Sequence, residues 1–113
     1  MVTATTDLGK VVSGLISLLE AGGVRVEAAI LYGSYVNGSP DEWSDIDVAV
    51  ISPDFEDVPL WERQRMISRA TVERDPSLAP IGYPSSEYRD PGRHSFLREI
   101  IRTGSVVYEA PTK

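Results

Sequence analysis

Apolar residues at Leu8, Val11, Val12, Leu15, Leu18 and Leu19 recur at the three-and-four spacing that paints one stripe along a helix. Thr6 or Asp7 can cap its start, and Gly22-Gly23 can end it. The period then changes. VRVEAAILY (24–32) reads as a strand that becomes wholly apolar toward its end, and DIDVAVIS (45–52) as a second, β-branched strand closed by Ser52-Pro53. Between them, 36–44 is a polar loop preceded by one helical turn. LWERQRMISRATVER (60–74) predicts a mostly exposed helix with Leu60, Met66, Ile67 and Ala70 inward.

SLAPIGYPSSEY (77–88) reads as extended, and its prolines at 80 and 84 suit an edge strand. HSFLREIIRTG (94–104) puts Phe96, Leu97, Ile100 and Ile101 on one helical face, with Gly104 as its C-terminal cap; SVVYE (105–109) is a last short strand. The order α-β-β-α-β-α-β predicts a single α/β (α+β) domain over 1–113, a small mixed sheet flanked by helices.

Composition narrows the chemistry. The 113 residues are 42% hydrophobic and 25% charged, as in ordinary soluble proteins. A net charge of −6 argues against gripping nucleic acid by charge alone, so no direct nucleic-acid binding is expected. With no cysteine and one histidine, disulfide frameworks, thiolate nucleophiles and most zinc enzymes are excluded. No secretory signal or membrane-length apolar run stands out, which makes the cytoplasm the expected location.

Two acids interrupt an apolar strand. On a strand, Asp45 and Asp47 share one face about 6.5–7 Å apart, while Ile46, Val48 and Val50 face the other way. Carboxylates so close in an apolar setting repel and lose solvation, and a hard divalent ion, Mg²⁺ or Mn²⁺, relieves both costs. Upstream, Gly33-Ser34 ends an apolar strand; backbone N–H groups and a small hydroxyl at such a junction bind phosphate. Without that junction the acids would read as solvated residues of a half-buried strand. If the strands pair, the phosphate cradle and the acids meet at neighbouring strand ends.

Gly33, Ser34, ten intervening residues and Asp45-Ile46-Asp47 resemble the G-S-x10-D-x-D signature of minimal nucleotidyltransferases in the DNA polymerase β-like superfamily. LYGS before, SDIDVAVIS after, and FLREIIRTGSVVYE near the end are similar to the family's wording. The resemblance implies that Asp45 and Asp47 coordinate Mg²⁺ (or Mn²⁺) and carry the catalysis, while Gly33 and Ser34 hold a nucleoside triphosphate. It also implies attack by a hydroxyl on the α-phosphorus, the AMP of ATP going to a small helical partner protein in a toxin-antitoxin pair. The chain departs from the pattern twice. Asn37 stands where members often carry arginine. The third carboxylate, which the family places on a later strand, aligns with Ala79, leaving Asp75 and Glu87 as the nearest acids. A catalytically weak or silent binding module acting through a partner is therefore the competing reading.

The remaining chemistry-bearing residues have plainer readings. Tyr32, Tyr35, Trp43 and Trp61 suit packing or a partner surface better than base stacking. Arg63, Arg65, Arg69 and Arg74 lie on a polar helix, and His94 near a helix start.

Overall fold

The computed structural model describes residues 5–33, 46–72, 78–93 and 95–111. Helix α1 (Thr5–Ala21) buries Val12, Leu15 and Leu19 of the predicted stripe, with Val11 and Leu18 half-buried, and adds Ile16. It begins at Thr5, so Thr6 and Asp7 fall within its first turn instead of ahead of it. It ends in paired backbone bonds, Val24 N to Leu19 O at 2.9 Å and Gly23 N to Glu20 O at 3.1 Å, with Gly23 at φ 92°. That left-handed residue is what the two glycines supply.

Strand β1 (Ala28–Tyr32) is shorter than the 24–32 pattern, although Val24 and Val26 are buried beside it. Strand β2 (Ile46–Ser52) runs into a 3₁₀ turn at Pro53–Phe55, where Ser52 Oγ accepts from Asp54 N at 3.0 Å. The Asp54 carboxylate accepts from Arg25 N at 2.8 Å and Arg25 Nη2 at 2.7 Å, which holds its pKa below the usual range. Helix α2 (Leu60–Ala70), strand β3 (Leu78–Pro84), the short helix α3 (Ser85–Arg89), helix α4 (Phe96–Thr103) and strand β4 (Ser105–Glu109) follow.

Strand order is β3-β2-β1-β4, with β1 antiparallel to β2 and β4, and β2 parallel to β3. The sheet is mixed and lies between helices, as the sequence predicts. On one face Ala29, Leu31, Ile46, Val48, Val50 and Leu78 pack with α1, Phe55 and Ile67 of α2. On the other, Ala28, Ile30, Ala49, Ile51 and Tyr83 pack with Leu97 and Ile100 of α4. No helix among the described residues is long and apolar enough to cross a membrane.

The edge position of β3 matches its prolines, and α2 seals that edge. Gln64 donates Nε2 to Pro80 O and accepts from Gly82 N through Oε1, both at 2.9 Å, as a neighbouring strand would. Arg63 donates to Gly82 O and to Val58 O. Pro80, which has no N–H, leaves no ladder donor unmade there.

Two expectations are corrected. The extended segment 77–88 stops at Pro84: Glu56 accepts from Ser86 N at 2.8 Å and Ser86 Oγ at 2.7 Å, drawing Ser85–Arg89 into a helical turn. Phe96, Ile101 and Leu60, expected inward, are 58%, 36% and 46% exposed. Gly104 caps α4, as the sequence predicts, and does so in extended backbone. A Cβ there would lie 2.6 Å from Leu31 O and 2.5 Å from Ile100 O; glycine lets the helix end touch β1.

Glycine substitutions should therefore split in sign. Gly104→Ala should cost about 1–3 kcal/mol because backbone oxygens cannot yield. Gly14→Ala, exposed in α1 with nothing within 4 Å of a new Cβ, should gain about 0.5–1 kcal/mol. Urea melts of both variants test this; a neutral Gly104→Ala would deny the close contact.

Candidate active site

Strand β1 delivers Tyr32 to the end of the sheet and turns at Gly33, whose φ is 82°. Strand β2 enters at the same end, pairing Asp47 with Tyr32. Parallel β3 enters there too, pairing Ala79 with Asp47. Cross-strand partners share a face. Tyr32, Asp47 and Ala79 thus form one row across three strands, at the helix-α4 side of the sheet.

The turn and the acid fit one another. A Cβ built on Gly33 would sit 3.3 Å from Asp47 Cγ and 3.5 Å from its Cβ, with Asp47 Oδ2 closer still. Glycine is required twice over, by the left-handed φ and by the carboxylate filling the space. The sequence spacing predicts this meeting of Gly33 and Asp47, and also puts Asp47 on the face opposite Ile46, Val48 and Val50. Ser34 and Asp45, the other two predicted site residues, lie outside the described residues, as do Asn37, Tyr35, Trp43, Asp75 and His94.

Tyr32 walls the row. Its ring meets Phe96 edge-on, centroids 5.8 Å apart at 83°. Burial first, then the Asp47 charge, then Tyr83 push its phenol up to about 12, so the hydroxyl stays neutral at ordinary pH. Trp61 is 65% exposed, on the surface as expected.

The position opposite Asp47 carries a methyl group. Glu87 does not supply a third acid at this spot: it lies in α3, beyond Pro84, and the Ser52–Pro84 pair is five positions up the strands, roughly 16 Å from Asp47 and Ala79. Among the described residues, no group of three or more His, Asp or Glu is placed to hold a metal. The donors offered are hard oxygens beside a backbone turn, a set that suits Mg²⁺ or Mn²⁺ far better than a soft metal.

One feature escapes the sequence reading. Exposed Phe96 borders an open groove of about 430 Å³ lined also by Arg93, Ser95, Arg98, Glu99 and Arg102. Helical periodicity alone assigns Phe96 to the core; the arginines at 93, 98 and 102 around it are the signal that could have marked a surface.

Comparison with known proteins follows the same lines. Residues 15–102 match the family described as nucleotidyltransferase domain, a span that includes both Gly33 and Asp47. A candidate protein adenylyltransferase of Methanocaldococcus jannaschii is 31% identical over 83 residues, covering 71% of this chain and 77% of that relative. The crystal structure of a candidate nucleotidyltransferase from Sulfolobus solfataricus superposes with a TM-score of 0.69 at 14% identity, covering 92% of this chain and 82% of the other. A toxin-antitoxin structure with AMP-PNP gives 0.52 at 22% identity, covering 87% and 73%. At these identities the two structures establish the fold alone.

The Tyr32 environment makes an alkaline prediction. A folded-state pKa raised from 10.0 to about 12 gives stability that is whole below pH 10 and lost as pH climbs toward 12. Denaturant melts across that window should fall less steeply for Tyr32→Phe than for wild type. Asp47→Asn should lower the Tyr32 midpoint in an absorbance titration. A midpoint indifferent to Asp47 would place the two side chains farther apart than this row allows.

Proposed function

Because the chain belongs to the nucleotidyltransferase domain family, we propose that it is a Mg²⁺-dependent enzyme that transfers AMP from ATP to a hydroxyl on a partner protein. In this reading it is the antitoxin half of a cytoplasmic toxin-antitoxin pair whose other half is a small helical protein. The observation that carries the proposal is the Asp47 carboxylate seated against the left-handed Gly33 turn at the end of paired strands. The adenylyltransferase named among the relatives supports AMP as the group moved, and the toxin-antitoxin neighbour with AMP-PNP supports a nucleotide and a partner.

Gly33 and Ser34 would take the triphosphate on backbone N–H groups and a hydroxyl, where glycine permits close approach. Asp45 and Asp47 would hold the Mg²⁺ (or Mn²⁺). The ion, when bound, offsets phosphate charge and polarises the α-phosphorus. Tyr32, neutral and braced by Phe96, would wall the site on the β1 side without adding charge. In the transfer the acceptor oxygen bonds to the α-phosphorus as the bond to the bridging oxygen breaks. Pyrophosphate leaves with that electron pair, and the acceptor's proton passes to solvent. No protein nucleophile is needed.

One observation favours a second reading. Ala79 stands opposite Asp47, where a further carboxylate would complete the row. Two acids can hold one nucleotide-bound ion, but activation of the hydroxyl needs a base or second ion within about 3 Å. A binding module with slow or silent chemistry, acting through its partner, fits that vacancy of charge.

Two measurements separate these readings. Thermal melts should show MgATP, but not ATP in EDTA, stabilising the protein by about 2.7 kcal/mol at a hundredfold excess over Kd, and Asp47→Asn should remove the gain. Equal stabilisation without metal would sink the site. Labelled AMP should pass slowly to the protein encoded beside this one, and Ala79→Asp should raise that rate at least about tenfold with little change in ATP affinity, since the added interaction forms in the transition state. Fast wild-type transfer indifferent to residue 79 would show that the base lies elsewhere.

A further inference from the structure

We propose that the groove along α4 beside Phe96 docks an acidic segment of the protein that supplies the acceptor hydroxyl; the inference deepens the transferase reading and rests on it. Three observations converge. The groove is built of Arg93, Arg98 and Arg102 against the single carboxylate of Glu99, a surplus of two positive charges on a chain whose net charge is −6. Glu99 is ion-paired with Arg102 one turn along. Arg93 and Arg98 have no ion-pair partner among the described residues, so two guanidinium forks face solvent uncommitted, each shaped to grip a carboxylate.

The second observation is position. Phe96 is 58% exposed yet touches Tyr32, which is the in-register partner of Asp47. A ligand lying on Phe96 is therefore linked to the acid row through two touching aromatic rings, Phe96 and Tyr32. A second arginine-bearing groove, with Glu62, Arg65, Met66 and Arg69 on α2, lies across the sheet, where Met66 packs on the opposite core. The α4 groove lies on the helix that covers the sheet face carrying Asp47.

The third is size and polarity. About 430 Å³ takes a few residues of extended peptide, and the exposed Phe96 offers an apolar contact between the charges. A nucleic acid strand would lay a continuous run of phosphates over a molecule that is acidic overall, which the net charge opposes. A short acidic stretch flanking a serine, threonine or tyrosine needs only the local surplus.

Fluorescence anisotropy with a labelled (Glu-Ser)₄ peptide tests this on the whole chain, with (Lys-Ser)₄ and an eight-nucleotide uridine strand as comparisons. The acidic peptide should bind at low salt, weaken as salt is added, and lose at least about tenfold in affinity with Arg93→Glu/Arg98→Glu and with the milder Arg93→Gln/Arg98→Gln. The basic peptide should not bind. Thermal melts verify that the variants fold. No acidic-peptide binding by wild type, or binding unmoved by either variant, overturns the proposal. So does tighter, arginine-dependent binding of the uridine strand. A joint loss of MgATP binding in the variants also overturns it, because the arginines would then serve the nucleotide's own phosphates. Arginine-dependent peptide binding without AMP transfer supports the groove and counts instead against the transferase reading.

Discussion

Everything at the working end of this molecule depends on a space where a Cβ is missing. Asp47 can lie against the β1 turn only because residue 33 has no side chain, and the turn can take its left-handed course for the same reason. Strand pairing sets Tyr32 opposite Asp47, and the turn at Gly33 then brings the backbone against the carboxylate. A carboxylate is thereby held against the turn that ends β1.

Much of this was legible in the residues. The spacing from Gly33 to Asp47, the alternation of Asp47 with Ile46, Val48 and Val50, and the prolines of β3 each dictated something the fold contains. What failed did so where long-range contacts override local pattern. Ser85–Arg89 is helical because a carboxylate thirty residues earlier holds Ser86, and no window of sequence contains both. Phe96 follows the helical period but sits at the lip of the sheet, where Tyr32 meets only its edge. Gly104 does cap its helix, but the spacing it gives against Leu31 is a long-range contact that no local pattern shows. In the candidate site, Ala79 beside Asp47 could be anticipated from the resemblance, whereas Tyr32's place in the row needed the strand register.

The two flanks of the sheet are treated differently. Side chains of Arg63 and Gln64 occupy the outer backbone groups of β3, so this flank resists adding another strand. The same bonds tie α2 to β3 and set the helix against the core through Ile67. The opposite face depends more heavily on a single short helix, α4, whose Leu97 and Ile100 close the second apolar layer over Ile30 and Tyr83. The acid row is framed by a helix of eight residues, with Tyr88 of α3 packed on the same face.

The strand order has a consequence for synthesis. β1 is interior and wholly apolar, yet its second neighbour, β4, is made after every other member of the sheet. A nascent chain can zip β1, β2 and β3 while one side of β1 still lacks its hydrogen-bonding partner, and α4 has yet to cover the face beneath. Until Glu109 leaves the ribosome, that bare flank is the segment most open to pairing with a neighbouring chain. Chaperone capture during translation would fall on the window between the completion of β3 and the arrival of β4.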